Sequence, residues 1–211
     1  MTLSKFSVLL LPLAAAACSS TGIVDAPIYS ELPDGGEGEF RGEAATIYTE
    51  VATRNNNDDA ATALPISGAA TYSGDFAAVI DVPNTSTVAY STLFGDSDMQ
   101  VNFGTRAMTG TFNDISGRNY NGAGSSTAFY DFNGVLVTSG TLTGNGIDGD
   151  VGGTIYDGFG GSYTVDADLD ATLTGPGATG MLGIFGGTFR NNSGGTNGGT
   201  APIEGVFYGD R

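Results

Sequence analysis

Cys18 is the only cysteine in the 211-residue chain, and it follows a segment that resembles a secretory signal. That segment supplies Lys5, a short apolar run over residues 6–13 and small residues at 14–17. The order is typical of a signal peptide, and the apolar run is too short to cross a membrane as a helix. A lone cysteine at the cleavage point predicts lipidation of its sulfur. We therefore expect residues 1–17 to be removed and Cys18 to anchor the mature chain.

Ordinary signal cleavage is the alternative at this position. Ala15 stands where lipoprotein signals usually carry Leu, and the run of alanines before Cys18 also fits an ordinary cleavage site. In that case Cys18 would be a free thiol at the mature N-terminus. If the cysteine is lipidated, Ser19 in place of an Asp favours the outer membrane, most simply at the cell surface, with the periplasmic face as the other orientation.

Two groups of oxygen-bearing residues could in principle hold calcium. Asp166, Asp168 and Asp170 share one face of an alternating segment, and residues 145–150 (NGIDGD) resemble half of a calcium-binding repeat. A calcium loop needs a turn, usually with a Gly at its sixth position, and no second repeat follows at the required period. We interpret the aspartates as a solvated strand face and residues 145–150 as a turn, and we expect no metal site.

The tyrosines are the remaining candidates for ligand chemistry. Five of them could ligate haem or iron, although half-buried packing with the hydroxyl at a barrel rim is their commoner role. These are Tyr72, Tyr120, Tyr130, Tyr156 and Tyr163. Carboxylate pairs could serve glycoside hydrolysis, but the chain has no Trp to stack on a sugar and no identifiable cleft.

Composition excludes several functional classes. The chain has 7 Lys and Arg, 23 Asp and Glu, no His and a formal net charge of −16. Such a chain does not hold nucleic acid by charge. Without His, and with one Cys at the signal boundary, it has no Ser-His or Cys-His pair, no disulfide framework and no thiolate zinc site. We expect a protein that is not an enzyme and that has no catalytic residues and no cofactor.

Period-two alternation begins near Ile66 and predicts strands. The clearest case is residues 164–174, where small apolar residues and Leu line one face and three aspartates line the other. Gly-rich breaks separate the alternating segments, as hairpin turns require. The predicted strands cover residues 71–81, 99–103, 107–114, 134–142, 150–157, 164–174, 181–190 and 203–209. Eight antiparallel strands can close into a small β-barrel, so the predicted fold is all-β.

The region before the barrel lacks sustained periodicity. Residues 19–65 contain Pro27, Pro33 and the polar runs at 34–39 and 55–59, which predict a mobile tether with one short helical turn at 45–52. The expected organisation is a signal peptide (1–17), a lipidated N-terminus with a flexible tether (18–65) and a β-barrel domain (66–211).

Four segments, in order, resemble the transferrin-binding-protein-B-like β-barrel domain of Gram-negative surface lipoproteins. They are ATYSG at 70–74, GDSDMQVNF at 95–103 leading into MTGTF at 108–112, GTLTG at 140–144 and GVFYG at 205–209. The resemblance covers roughly residues 66–211 and implies an eight-stranded barrel carried to the outer membrane. It also implies a ligand related to iron or haem, or a host protein, bound by barrel loops. No binding residues carry over, because the chain has one short lobe and no long loop insertions.

Three functions follow as hypotheses. The first is a lipid-anchored binding module, whose loops at 113–127 and 191–201 contact a solute or a protein partner. The second is a structural envelope lipoprotein that partners another outer-membrane protein. The third is an integral outer-membrane barrel, which predicts a continuous apolar belt on the outward faces.

Overall fold

The structure is a computed structural model that describes residues 28–33, 40–81, 89–121, 123–193 and 199–211. The predicted signal peptide and Cys18 lie outside these residues. The described chain forms one helix and nine strands: α1 (Glu43–Asn57), β1 (Ala69–Ile80), β2 (Tyr90–Asn102), β3 (Ala107–Tyr120), β4 (Ser126–Gly134), β5 (Leu136–Thr143), β6 (Gly146–Asp157), β7 (Ser162–Thr174), β8 (Gly180–Asn191) and β9 (Thr200–Asp210). Its helix is neither long enough nor apolar enough to cross a membrane.

The strands form a closed antiparallel ring. β9 returns to pair with β1, in a register that runs from Ser73↔Asp210 to Ile80↔Ile203. β4 and β5 follow each other between β3 and β6, interrupted only at Val135, and together occupy one position of the ring. The nine strands therefore fill eight positions, which confirms the prediction of a small antiparallel eight-stranded barrel.

Apolar side chains fill the barrel interior. On β7, Val165 and Leu169 are buried inside, while Asp166 and Asp168 point outward into solvent, as the alternation predicts. This arrangement is the reverse of a membrane-spanning barrel, whose outward face carries an apolar band. The outward wall at β7 therefore argues against the integral-barrel hypothesis.

Glycines on the inner wall make room for large rings. Phe207 and Phe185 project inward from neighbouring strands and pack on Phe112 at centroid distances of 5.5 and 5.3 Å. A Cβ at Gly183 would lie 2.1 Å from the Phe207 ring, and a Cβ at Gly205 would lie 2.2 Å from the Phe185 ring. Glycine at these two positions lets the aromatic core form inside a narrow barrel.

Helix α1 packs against the outside of the barrel. Ala44 and Val51 are fully buried, and they form an apolar cluster with outward-facing residues of β1, β8 and β9. The strand residues of this cluster are Ala77, Val79, Leu182 and Val206. The expectation of a flexible tether is therefore wrong for residues 43–57. The predicted helical turn at 45–52 is the middle of a 15-residue helix that covers an apolar wall.

Polar contacts fix the C-terminal end of α1. The guanidinium of Arg54 donates to both carboxylate oxygens of Asp210 at 2.7 and 2.9 Å, and it lies 4.5 Å from the ring centroid of Tyr208. The backbone N–H of Ile28 donates to the carbonyl of Asn55 at 3.1 Å, so the first described residues also lie beside this end of the helix.

We expect the Asp210→Asn substitution to lower the free energy of unfolding at pH 7 by no more than about 1 kcal/mol, because the carboxylate is partly exposed. Hydrogen bonds from Arg54 hold the pKa of Asp210 below its ordinary value. Its stabilising effect is thus present above the ordinary carboxyl pKa of about 3.9 and is lost as the pH falls through the lowered pKa. Denaturant unfolding from pH 7 to pH 3 measures this. A difference between the proteins that stayed constant down to pH 3 would contradict the contact.

Candidate functional site

The two ends of the barrel differ. At one end, residues 60–64 pack against the interior: the N–H of Ala61 donates to the carbonyl of Leu173 at 2.8 Å, and Leu64 contacts the core. The hydroxyl of Tyr72 donates to the carbonyl of Ala178 at 2.9 Å and ties the β7–β8 turn to β1. We call this the covered end. The opposite end carries the β3–β4, β6–β7 and β8–β9 connections.

Aromatic side chains gather at that opposite end, which we call the aromatic end. Tyr163 stacks on Phe189 at a centroid distance of 5.1 Å and meets Phe132 edge-on at 5.8 Å. Tyr130 lies 6.3 Å from Phe132 and 6.1 Å from Phe159, the latter in a T-shaped arrangement. The cluster runs from the buried core out to Phe159, whose side chain is 84% exposed.

Asp157 fixes the turn that presents Phe159. One carboxylate oxygen accepts from the amides of Phe159 and Gly161 at 2.9 and 2.6 Å, and the other accepts from the Tyr163 hydroxyl at 2.8 Å. Burial opposes the charge of Asp157, but these three hydrogen bonds outweigh it and lower the pKa of the carboxyl group. Burial and the neighbouring Asp157 raise the pKa of Tyr163, so its hydroxyl remains a donor. An ionised aspartate thus holds the Gly-rich turn in one conformation.

Exposed apolar side chains are concentrated near the aromatic end. Of the six large exposed apolar residues in the described chain, five belong to β4–β6 and their connections. They are Phe129, Val135, Val137, Tyr156 and Phe159. The sixth, Ile66, precedes β1 at the covered end. Exposed apolar residues concentrated on one side of a domain are typical of interaction surfaces.

The β6–β7 wall is acidic instead. Asp148 lies directly opposite Asp170, and Asp150 lies directly opposite Asp168, all pointing outward. Burial and the carboxylate of Asp148 raise the pKa of Asp170. Asp148, Asp168 and Asp170 border a groove of about 640 Å³ that Glu31 and Glu204 also line. In the described ranges, no three acidic, Cys or His side chains converge as metal ligands would.

We expect the Asp168→Asn substitution to raise the free energy of unfolding by about 0.2–1 kcal/mol, because it removes a like-charge pair with Asp150 across two strands. Asp166→Asn is the matched control, since Asp166 lies opposite the uncharged Gly152. Thermal unfolding at low salt measures the difference, which should shrink at about 1 M salt, where exposed charges are screened. Equal effects of the two substitutions would show that the cross-strand repulsion is negligible.

The five candidate tyrosines do not converge on one site. Tyr72 is buried at the covered end, Tyr120 stacks on Tyr90 on the outer wall at 5.2 Å, and Tyr156 is exposed on β6. Of the five, Tyr130 and Tyr163 belong to the ring cluster at the aromatic end, and their hydroxyls are engaged by Asn119 and Asp157. Tyr130 and Tyr163 therefore pack in the barrel wall, with their hydroxyls near the rim of the barrel.

The two predicted binding loops have different outcomes. The loop at 113–127 is wrong in extent: β3 continues to Tyr120 and β4 begins at Ser126, so the connection is only residues 121–125. The loop at 191–201 does connect β8 and β9 at the aromatic end, and residues 194–198 of it lie outside the described chain. Phe159 lies outside the residues that the sequence pattern predicts to be functional. The one signal for it is a large aromatic residue flanked by glycines in a turn, with no alternating neighbours.

Comparison with known proteins finds similarity among solved structures. No protein-family model matches the chain, and no curated protein matches it. Among solved structures, the barrel is similar to transferrin-binding protein B. A double mutant of this protein from Haemophilus parasuis gives a TM-score of 0.40 at 16% identity over 70% of the chain, and a single mutant from the same organism gives 0.36 at 16% over 70%. Intact Ap-TbpB, with its N and C lobes, gives 0.35 at 14% over 69%.

The similarity covers only part of the length of these proteins. The chain spans 26–28% of their length, roughly a quarter. The solved structures carry the name of the family that the four sequence segments resemble. At these identities and TM-scores they say nothing about a ligand or a partner, and the chain's own residues carry the functional argument.

Proposed function

We propose that the chain is an outer-membrane lipoprotein whose barrel binds a protein partner. The observation that carries the proposal is the concentration of five exposed apolar side chains on β4–β6, continuous with the aromatic end. Aromatic residues that are partly exposed and rigidly held are the usual anchors of protein interfaces. Phe159 meets both conditions, because Asp157 fixes its turn while its ring remains in solvent.

The interior of the barrel is filled with side chains, which favours a partner that contacts the outside of the barrel. Phe76 and Phe112 stack at 4.4 Å in the centre of the barrel, and Phe185 and Phe207 pack around them. These rings occupy the space in which larger or emptier barrels hold a small ligand. A partner is therefore expected to meet the aromatic end and the adjacent wall.

The position of the first described residues supports one orientation of the barrel relative to the membrane. Ile28 lies ten positions after Cys18, so the link between them reaches no further than about 35 Å. The Tyr29 hydroxyl donates to the carbonyls of Asp170 and Leu182, close to the covered end of β7 and β8. Anchoring at Cys18 would then hold the covered end toward the membrane and leave the aromatic end facing away.

Palmitate labelling and protease shaving test the anchoring and the location. We expect the wild-type chain to incorporate labelled palmitate, and the Cys18→Ser variant to incorporate none. Proteinase K added to intact cells should remove the labelled protein, with lysed cells as the control. Protection until lysis would place the domain in the periplasm, and absence of label in the wild type would overturn the lipid anchor.

Paired substitutions test the binding surface. The Phe159→Ser, Tyr156→Ser double variant removes two exposed rings, and Ile66→Ser removes an even more exposed apolar side chain at the other end. We expect recovery of a stoichiometric partner after chemical cross-linking on cells to fall at least tenfold for the double variant and to stay unchanged for Ile66→Ser. Equal recovery from both would overturn the assignment of the surface.

A further inference from the structure

β4 has strand partners over different parts of its length on its two sides. Its Ser126–Asp131 part pairs with β3, through register pairs from Tyr120↔Ser126 to Ser116↔Asp131. On the other side, β4 meets β6 only at residues 132–134. Because β6 ends at Asp157 and turns toward β7, residues 126–131 have no strand beside them on that side within the described chain. This stretch is a free edge in an otherwise closed ring.

The ladder shows which backbone groups of β4 face β3. The N–H of Ala89 donates to the carbonyl of Tyr120 at 2.8 Å, so Tyr120 directs its backbone groups toward β2. Successive residues of a strand face opposite neighbours, and Asn119 therefore faces β4, where it pairs with Ala128. Ala128 thus faces β3, and the N–H and C=O of Phe129 point toward the free edge.

The β6 side gives the same assignment independently. The N–H of Asp157 donates to the carbonyl of Gly161 at 3.1 Å, so Asp157 faces β7 and its neighbour Tyr156 faces β4. Tyr156 pairs with Asn133, which must therefore face β6. Two residues back along the strand, Asp131 faces the same way. The backbone groups of Phe129 and Asp131 therefore point toward the free edge, whereas the register shift between Asn119 and Tyr120 interrupts the alternation at residue 127.

Aromatic side chains flank this edge on both faces. Phe129 is 49% exposed on the outer face, with the guanidinium of Arg118 at 5.3 Å from its ring centroid. Tyr130 points to the other face, where Phe159 meets it edge-on. A strand laid along the edge would place alternate side chains against these two groups of rings.

We propose that this edge of β4, residues 128–131, takes up an extended segment of a partner protein as an additional strand. The inference rests on the proposed function, since it assumes that the partner is a protein. Addition of a strand to an exposed edge gives affinity through the backbone and specificity through alternate side chains. The residues of β4 include no Pro, no Lys and no Arg, the residues that commonly block such an edge.

The negative charge of the chain indicates what kind of segment would pair with the edge of β4. The chain carries a formal net charge of −16, and Asp131 is exposed on the edge itself. Pairing of two copies through this edge would bring two strongly acidic domains together, which long-range repulsion disfavours. The expected occupant is therefore a segment of another protein, apolar at alternate positions and basic where it passes Asp131.

Hydrogen exchange of the full chain in detergent tests the free edge itself. By NMR, the amides of Phe129 and Asp131 should exchange at least tenfold faster than those of Ala128 and Tyr130. Equal protection along residues 128–131 would mean that the edge is already occupied, and the proposal would fail.

Peptide binding tests strand addition. The probe is a synthetic ten-residue peptide of alternating Val and Thr with a Lys at each end. Its control is the same peptide N-methylated at two adjacent central residues. Because adjacent residues point their N–H groups to opposite edges of the peptide, neither edge can then donate a backbone hydrogen bond at its centre. We expect chemical-shift changes centred on residues 128–131 for the first peptide and at least tenfold weaker binding for the second. Equal binding, or shifts elsewhere, would overturn the proposal.

Variants of the chain isolate the backbone contribution. Phe129→Pro and Phe129→Val both remove the ring, but only proline removes the N–H at the free edge. Peptide affinity should be at least tenfold lower for Phe129→Pro than for Phe129→Val. Asp131→Pro against Asp131→Asn repeats the comparison if Phe129→Pro does not fold. Equal peptide affinity of the proline variant and its matched control, in whichever pair folds, would refute strand addition. If that result came together with loss of the partner in the Phe159→Ser, Tyr156→Ser variant, the proposed function would stand and strand addition would not.

Discussion

The Phe112→Ala substitution is expected to lower the free energy of unfolding by about 3–5 kcal/mol. Phe112 is fully buried and contacts three other rings: it stacks on Phe76 at 4.4 Å, and Phe185 and Phe207 pack on it at 5.3 and 5.5 Å. Alanine would leave a cavity at the centre of the barrel, where eight paired strand positions limit inward relaxation. Equilibrium denaturation in urea gives the value.

Phe159→Ala is the matched control for the loss of a ring. Phe159 is 84% exposed and should change the free energy of unfolding by no more than about 0.5 kcal/mol. A small effect at both positions would mean that the interior is loosely packed. The barrel could then admit a small ligand, contrary to the filled core described above.

The Gly149→Ala substitution is expected to lower the free energy of unfolding by about 3 kcal/mol, at the upper end for overpacking. A Cβ at this position would lie 2.0 Å from the carbonyl oxygen of Ser139 and 2.7 Å from the Cα of Gly140. Both are backbone atoms of the neighbouring strand, so no rotamer change relieves the contact. In a domain of this size the loss corresponds to a fall of about 6–12 °C in Tm, which calorimetry resolves.

Gly152→Ala on the same strand gives the contrast. The nearest atom to a Cβ there is 3.8 Å away, an ordinary contact, and Gly152 needs no positive φ. The substitution should leave stability unchanged or raise it by up to about 1 kcal/mol. If Gly149→Ala were tolerated as well as Gly152→Ala, β5 and β6 would be further apart than the register implies.

The sequence predicts the strands whose two faces differ most in polarity. In β7 the apolar residues lie inside and the aspartates outside, because a closed barrel buries one side of every strand. The pairing of β1 with β9 follows from the same logic, since eight consecutive antiparallel strands expose two edges until the first meets the last.

Residues 113–120 show where local pattern is insufficient. They include Gly, Asn, Asp and Ser, which disfavour strands, and they were predicted as loop. In the structure they continue β3, because pairing with β2 on one side and β4 on the other holds them, and the Tyr90–Tyr120 stack reinforces the far end. Such non-local pairing leaves no trace in a short window of sequence.

Helix α1 differs from its predicted tether for a related reason. Its large apolar residues are only Ile47, Tyr48 and Val51, and the polar run at residues 55–59 begins within its last turn. The helix is held by the apolar outer wall of β1, β8 and β9, which alternation alone cannot distinguish from an inward face. A strand buried on both sides, such as the end of β1 at residues 76–80, is the signal that something covers the outside.

The candidate site was the least predictable part. Phe159 lies in a Gly-rich turn and owes its role to Asp157, which orders the turn, and to Tyr130, which contacts its ring. The free edge of β4 arises because β6 turns away toward β7 before it reaches residue 131. Both features depend on where neighbouring strands end, which no single segment specifies.

Site-specific photo-cross-linking on intact cells tests the central claim most directly. A photoreactive amino acid at position 159, at the aromatic end, is compared with one at position 66, even more exposed at the covered end. We predict a discrete cross-linked product containing one partner protein from position 159 and none from position 66. No product from position 159, or the same products from both positions, would contradict the assignment of the aromatic end as the binding surface.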